Sequence, residues 1–176
     1  MNKMQEIRIE KITLNIGIGE SGDRLEKAVL LLKYISGIKP VKTKTMQRIP
    51  TWNIRPKLAI GAKVTLRGKK AEALLKKLFE AGRNKIAMKK FDRNGNISFG
   101  IKEYINIPEI EYKPEIGIIG LEVAVTLERP GFRIKKRRLK KSKVGIKHRI
   151  TKEQAMEFIK SKFNIKITEK EEEDDY

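Results

Sequence analysis

The chain has 176 residues, enough for one domain around one core, and carries 41 Lys and Arg against 22 Asp and Glu, a formal net charge of +19. Repulsion at that density opposes folding and points to a polyanionic partner; no run approaches the roughly 18 apolar residues of a spanning helix, so nucleic acid is expected ahead of a membrane. Cysteine is absent and His148 is the single histidine, which excludes disulfides and thiolate metal sites and leaves no credible acid, base or metal set for catalysis.

The first residues, with Glu6 and Glu10, lack the apolar core of a signal peptide, so a cytosolic protein is expected. Ile7, Ile9, Ile12, Leu14, Ile16 and Ile18 alternate with polar residues, with a one-residue phase shift near Lys11 that predicts a bulged strand. "SGDRLEKAVLLLKYISG" reads as a helix with Asp23 and Glu26 as its capping box and Gly37 at its end. A short strand, "KPVKTKT", leads to the proline-bounded loop "TMQRIPTWNIRP" at 45–56, and "KLAIGAKVTLRG" is a longer strand. The next helix sets Ala71, Leu74, Leu75, Leu78 and Phe79 on one stripe and stops at Gly82. "NKIAMKKFDRNGNISFGIKEYINI" reads as a hairpin about a type I′ turn at Asn94-Gly95. A loop with Pro108 and Pro114, a strand "LEVAVTLERPG", a basic segment, and a helix capped by Thr151 and Gln154 complete the body. Alternating βαβ units are absent from this order. It predicts an α+β fold: a largely antiparallel sheet with helices packed on one face and the other face open to RNA. Residues 1–168 are expected to form one domain, followed at 169–176 by an acidic, solvated tail that could also compete with RNA for the basic face.

Gly17, Gly19 and Gly22 match the glycine spacing of a dinucleotide-binding turn. The acid expected about 20 residues later is missing, and Glu20 would repel a phosphate, so a flexible strand-to-helix turn is the better reading.

Three acid-free clusters carry the charge. Residues 39–57 hold Lys39, Lys42, Lys44, Arg48, Arg55 and Lys57, and residues 63–70 hold Lys63, Arg67, Lys69 and Lys70. Cations at a helix start oppose its dipole, so phosphate binding is the more natural reason for Lys69 and Lys70. The third cluster, 129–149, contains eleven cations: Arg129, Arg133, Lys135, Lys136, Arg137, Arg138, Lys140, Lys141, Lys143, Lys147 and Arg149. A solvated face mixes signs; this one does not, and it reads as an RNA-contacting extension that orders on its partner, with His148 as a phosphate or base contact. Trp52, the only tryptophan, lies in the 45–56 loop. It either tucks under the loop to fix its shape or offers its face to a base, beside Gln47, Arg48, Asn53 and Arg55.

The stretches "LNIGIGE", "ISGIKPVKTKT", "IRPKLAIGAKVTLRG", "FDRNGNISFGIKEYINIPEIEY" and "HRITKEQA" together resemble universal large-subunit ribosomal protein family five, in order and over nearly residues 5–168. The basic segment before "HRIT" is similar to the archaeal and eukaryotic branch. The resemblance implies a structural, non-enzymatic role without cofactor: binding 5S ribosomal RNA and helping attach it to large-subunit RNA at the central protuberance. It implies 5S contact by Asn15 and Thr65 with Lys39 and Lys42 nearby, and approach of loop 45–56 to P-site transfer RNA. It also implies an inter-subunit bridge from loop 108–118, with Glu109, Glu111 and Glu115, to a basic small-subunit head protein of universal family thirteen. Neither a membrane nor a second copy of the chain is expected as a partner. Bacterial members commonly carry Gln where this chain has Ile38, which removes one polar contact there. A non-specific nucleic-acid binder or RNA chaperone is the alternative reading; it predicts no preference among RNAs.

Overall fold

A computed structural model describes residues 2–168; the acidic tail lies outside them. Five strands form one antiparallel sheet: β1 (Arg8–Gly17), β2 (Val41–Lys44), β3 (Ala59–Leu66), β5 (Ile97–Ile101) and β6 (Leu121–Glu128), in the order β2-β3-β1-β6-β5. The chain's first strand is therefore central. It pairs Leu14 with Val64 on one side and with Val123 on the other, so the apolar residues of three strands fall on one face. The helices α1 (Asp23–Ser36) and α2 (Lys69–Ala81) cover that face. Every residue of the predicted α2 stripe is buried, and in α1 the core is made by Leu25, Ala28, Leu31 and Leu32. The register of β1 against β6 shifts between Ile9 and Lys11, which is the bulge that the phase change predicted.

Beyond the sheet's end lies a smaller unit. The short strands β4 (Lys85–Ala87) and β7 (Lys166–Thr168) pair in parallel, and α4 (Lys152–Phe163) packs beside them, with Phe163 edge-on to Phe79 of α2 at 5.3 Å between centroids. The Thr151–Gln154 capping box is present. A four-residue helix, α3 (Arg133–Lys136), is the only α-helical turn among the described residues of the basic segment.

Three local expectations are corrected. The hairpin shrinks to a tight turn with a single bridge, Phe91 to Ile97, because β4 pairs with β7 instead of β5. The turn is not type I′: of its two central residues only Gly95 has positive φ, at 76°. Asp92 explains this, since its carboxylate accepts from Arg93 N at 2.6 Å and from the Asn94 and Asn96 amides, a side-chain cap that favours an ordinary turn followed by one left-handed glycine. These bonds, first that from Arg93 N, hold the Asp92 carboxyl below its usual range against the opposing effect of burial. At α1 the cap residue is Gly22, with no side-chain cap bond, and Asp23 already lies inside the helix, where it can still favour the dipole.

Candidate nucleic-acid interface

Residues that face each other across paired strands share one side of the sheet. On the side away from the helices, Val41, Lys63, Asn15, Glu122 and Gly100 form one row across all five strands. At about 4.8 Å per strand the row spans roughly 19 Å. The neighbouring row is Thr65, Thr13, Ala124 and Ser98. All of these are exposed except the half-buried Asn15 and Thr13. Asn15 and Thr65, the pair that the family resemblance implies, thus lie on the open face, on adjacent strands two residues out of step. Lys63 and Thr13 join them; the apolar alternation of β1, which sets Thr13 on the same side as Asn15, is the signal that could have found Thr13. Asn15 Nδ2 donates to Glu122 Oε2 at 3.3 Å, which orients the amide and leaves its oxygen free to accept from a ribose hydroxyl or a base amino group.

Lys42 does not share this face. It lies opposite the buried Ala62 and binds Glu26 of α1. Lys39 and Lys44 are exposed near it at the sheet edge. Arg67 and Lys69 are exposed where β3 passes into α2. Arg67 Nη1 donates to Glu10 Oε1 at 3.1 Å.

In the 45–56 loop, Ile49 and Ile54 bridge to each other, Ile54 is buried, and a 3-10 turn covers Pro50–Trp52. Asn53 closes that turn in the left-handed region, at φ 53°. Ile54, not Trp52, fills the loop's interior: Trp52 is 69% exposed and Met46 90%. Of the two readings of Trp52, the tucked one is excluded. Gln47, Arg48, Asn53 and Arg55 are likewise exposed around it.

The basic segment is closed at its base. Arg129, 7% exposed, donates through Nη2 to Gln154 Oε1 at 3.0 Å, with longer contacts at 3.5 Å from Nη1 to the carbonyls of His148 and Arg149. The buried Nε has no partner among the described residues. His148 contacts the Pro130 carbonyl through Nε2 at 2.9 Å and meets Phe132 edge-on, so it is a brace of the segment's neck before it is an RNA contact. Lys136 binds both Glu10 and Glu128. Arg133, Lys135, Arg138, Lys140, Lys141 and Lys147 are exposed without an ion pair among the described residues, and Arg137 donates to the Lys140 carbonyl at 2.8 Å. Burial pushes the Glu10 carboxyl up, but hydrogen bonds from Lys136 and Arg67 and the charges of Lys136 and Lys11 outweigh it and hold the group below its usual range.

On the opposite flank, loop 108–118 is shaped from within by Tyr104, fully buried, whose hydroxyl accepts from Lys113 N at 3.0 Å. Glu109 adopts φ 66° and binds Lys77, while Glu111 and Glu115 are exposed. Lys113 Nζ sits 3.9 Å above the ring of Tyr34.

An open sheet face bearing Lys63, Asn15, Thr13, Thr65 and Glu122, with exposed cations at the β2/β3 edge and along the basic segment, is the kind of surface that a nucleic-acid-binding α+β protein offers. Comparison with known proteins is specific. Residues 2–55 match the family described as ribosomal protein L5, and residues 59–158 match the C-terminal part of the same ribosomal family. The chain is 50% identical over 170 residues to the large ribosomal subunit protein uL5 of Sulfurisphaera tokodaii, covering 96% of each chain. It is 54% identical over 165 residues to that of Nanoarchaeum equitans, covering 93% of this chain and 97% of the relative. The chain belongs to the ribosomal L5 family. It is a structural constituent of the ribosome and not an enzyme. Among the described residues no helix is long and apolar enough to cross a membrane.

Proposed function

We propose that the protein binds 5S ribosomal RNA through the open sheet face and helps attach it to large-subunit RNA at the central protuberance, acting as one unit over residues 1–168 on cytoplasmic ribosomes. The observation that carries this reading is the row of Lys63, Asn15 and Glu122 on the face away from the helices, with Thr65 and Thr13 beside it. A side chain row offers fixed donors and acceptors suited to ribose hydroxyls and base edges, while the flanking cations supply phosphate contacts that any RNA would satisfy. Family membership supports the assignment to the large subunit, since the relatives carry that description.

Two loops extend the reading. The 45–56 loop, with Trp52 outward on a turn bounded by Pro50 and Pro56, is a stacking platform for P-site transfer RNA. The 108–118 loop presents Glu111 and Glu115 to a basic small-subunit protein of universal family thirteen across the subunit bridge.

The test is binding of purified 5S RNA and of a length-matched control RNA at about 50 and about 200 mM salt. Retained preference for 5S RNA at the higher salt, lost in Asn15→Ala and Thr65→Ala, supports the reading. Equal decline of both RNAs replaces it with non-specific binding.

A further inference from the structure

Lys136 stands apart from the other cations of the basic segment. Among the described residues of 129–149 it alone forms ion pairs, and it forms them with two carboxylates at once. Both carboxylates come from the sheet: Glu10 from the β1 bulge and Glu128 from the end of β6. Their side chains are 7% and 15% exposed, so they are little available to solvent or to a partner. Arg67 holds Glu10 from the β3 side and Arg8 holds Glu128. Each acid thus has a second basic partner on the sheet besides Lys136. The neck of the segment is closed separately by Arg129, and its far side by Ser142 N donating to the Ile134 carbonyl at 3.3 Å.

We infer that Glu10 and Glu128 are positioning residues for RNA binding: they latch the basic segment through Lys136, so that Arg133, Lys135, Arg138, Lys140 and Lys141 meet the phosphate backbone as one preformed surface. Lys136 is the latch and not a phosphate contact. This rests on the RNA-binding reading above. The physical reason is entropic. Long cationic side chains on a free loop must be ordered at the moment of binding; a loop already docked on the sheet has lost that freedom beforehand. Two acids inside a strongly basic protein thereby raise its affinity for an anion, although each lowers the net charge.

The test uses the full chain, 5S RNA as probe, and three single variants, each checked for folding by circular dichroism. Lys135→Gln and Lys136→Gln remove the same charge from neighbouring exposed positions. Glu10→Gln removes a negative charge, so electrostatics alone requires tighter binding. A latch requires the opposite: Glu10→Gln weakens binding by about threefold to tenfold, the cost of ordering one or two long side chains. Lys136→Gln then weakens binding more than Lys135→Gln, and backbone amides of 131–147 exchange faster in the free Glu10→Gln and Lys136→Gln proteins alone. Unchanged or tighter binding by Glu10→Gln, or equal losses for the two lysine variants, overturns the latch while leaving RNA binding intact. No loss for either lysine variant overturns the latch and also removes the basic segment from the RNA-binding surface. Because Lys136 is half-exposed, its variant keeps the test decisive should Glu10→Gln fail to fold.

Discussion

Arg129 Nη2 and Gln154 Oε1 meet at 3.0 Å, joining the end of the sheet to the first turn of α4. The same Gln154 oxygen accepts from Thr151 N at 3.3 Å, while Gln154 N donates to the Thr151 hydroxyl at 3.4 Å. One amide thus caps a helix and neutralises part of a buried guanidinium's hydrogen-bonding demand.

That sharing makes the two partners unequal. Gln154→Leu is expected to lower unfolding free energy by about 2 kcal/mol, through half a capping box and a further unsatisfied buried donor. Arg129→Met removes the buried charge together with its unpartnered Nε, and should cost no more than about 1 kcal/mol. Urea unfolding of both variants measures the difference; the reverse order would refute this account of the neck.

Trp52 and Ile54 form a second contrast. Trp52→Ala should change stability by no more than about 0.5 kcal/mol, as an exposed position does, whereas Ile54→Ala, at a site 4% exposed, should cost about 2–4 kcal/mol. Because Trp52 is the only tryptophan, its fluorescence should already be that of a solvated indole in the native protein and change little on unfolding. Quenching by transfer RNA would report stacking directly.

Acid should act partly through Glu10. Against the upward push of burial, Lys136 and Arg67 hold its carboxyl below the unfolded value. The sign follows from linkage: the folded state binds the proton less readily, so this stabilisation is fully present above the unfolded value and is lost as pH falls through the folded value below it. Glu10→Gln should therefore cost about 1–2 kcal/mol at pH 7 and progressively less in acid. Denaturant unfolding at neutral pH and near pH 3 checks it; a pH-independent difference would rule out the ionic origin.

Gly95→Ala should destabilise by roughly 2 kcal/mol or more. Its φ of 76° is unfavourable for alanine, and the added Cβ would lie 2.7 Å from Ile150 Cγ2 and 3.3 Å from Ala155 Cβ. The turn is thus pressed against the start of α4, and thermal melting of the variant reads that contact.

Where the apolar period was long and continuous, the sequence was readable. The α2 stripe is buried as predicted, and the slip of phase near Lys11 marks the bulge. The pairing of β4 with β7 was hidden because it joins three residues to three others from the far end of the body, and neither stretch carries a period of its own. The site divides in the same way. Charge density exposed the basic segment, whereas Asn15 and Thr65 came from the family resemblance and not from any local pattern. The roles of Glu10 and Lys136 were not visible, since an ion pair between a bulge and a distant loop leaves no local pattern. Lys42 looked like its neighbours in sequence yet lies opposite Ala62 and reaches Glu26, a distinction that strand register alone makes.

The central place of β1 also bears on how the chain is made. Both strands that flank it, Ala59–Leu66 and Leu121–Glu128, emerge from synthesis later, the second much later. Until then β1 is a length of unpaired backbone with two open edges, the kind that invites pairing with another chain. Arg8, Glu10 and Lys11 interrupt its apolar alternation, and such charges disfavour that encounter. Side chains that end as rivets at the sheet's rim begin as guards of the nascent strand.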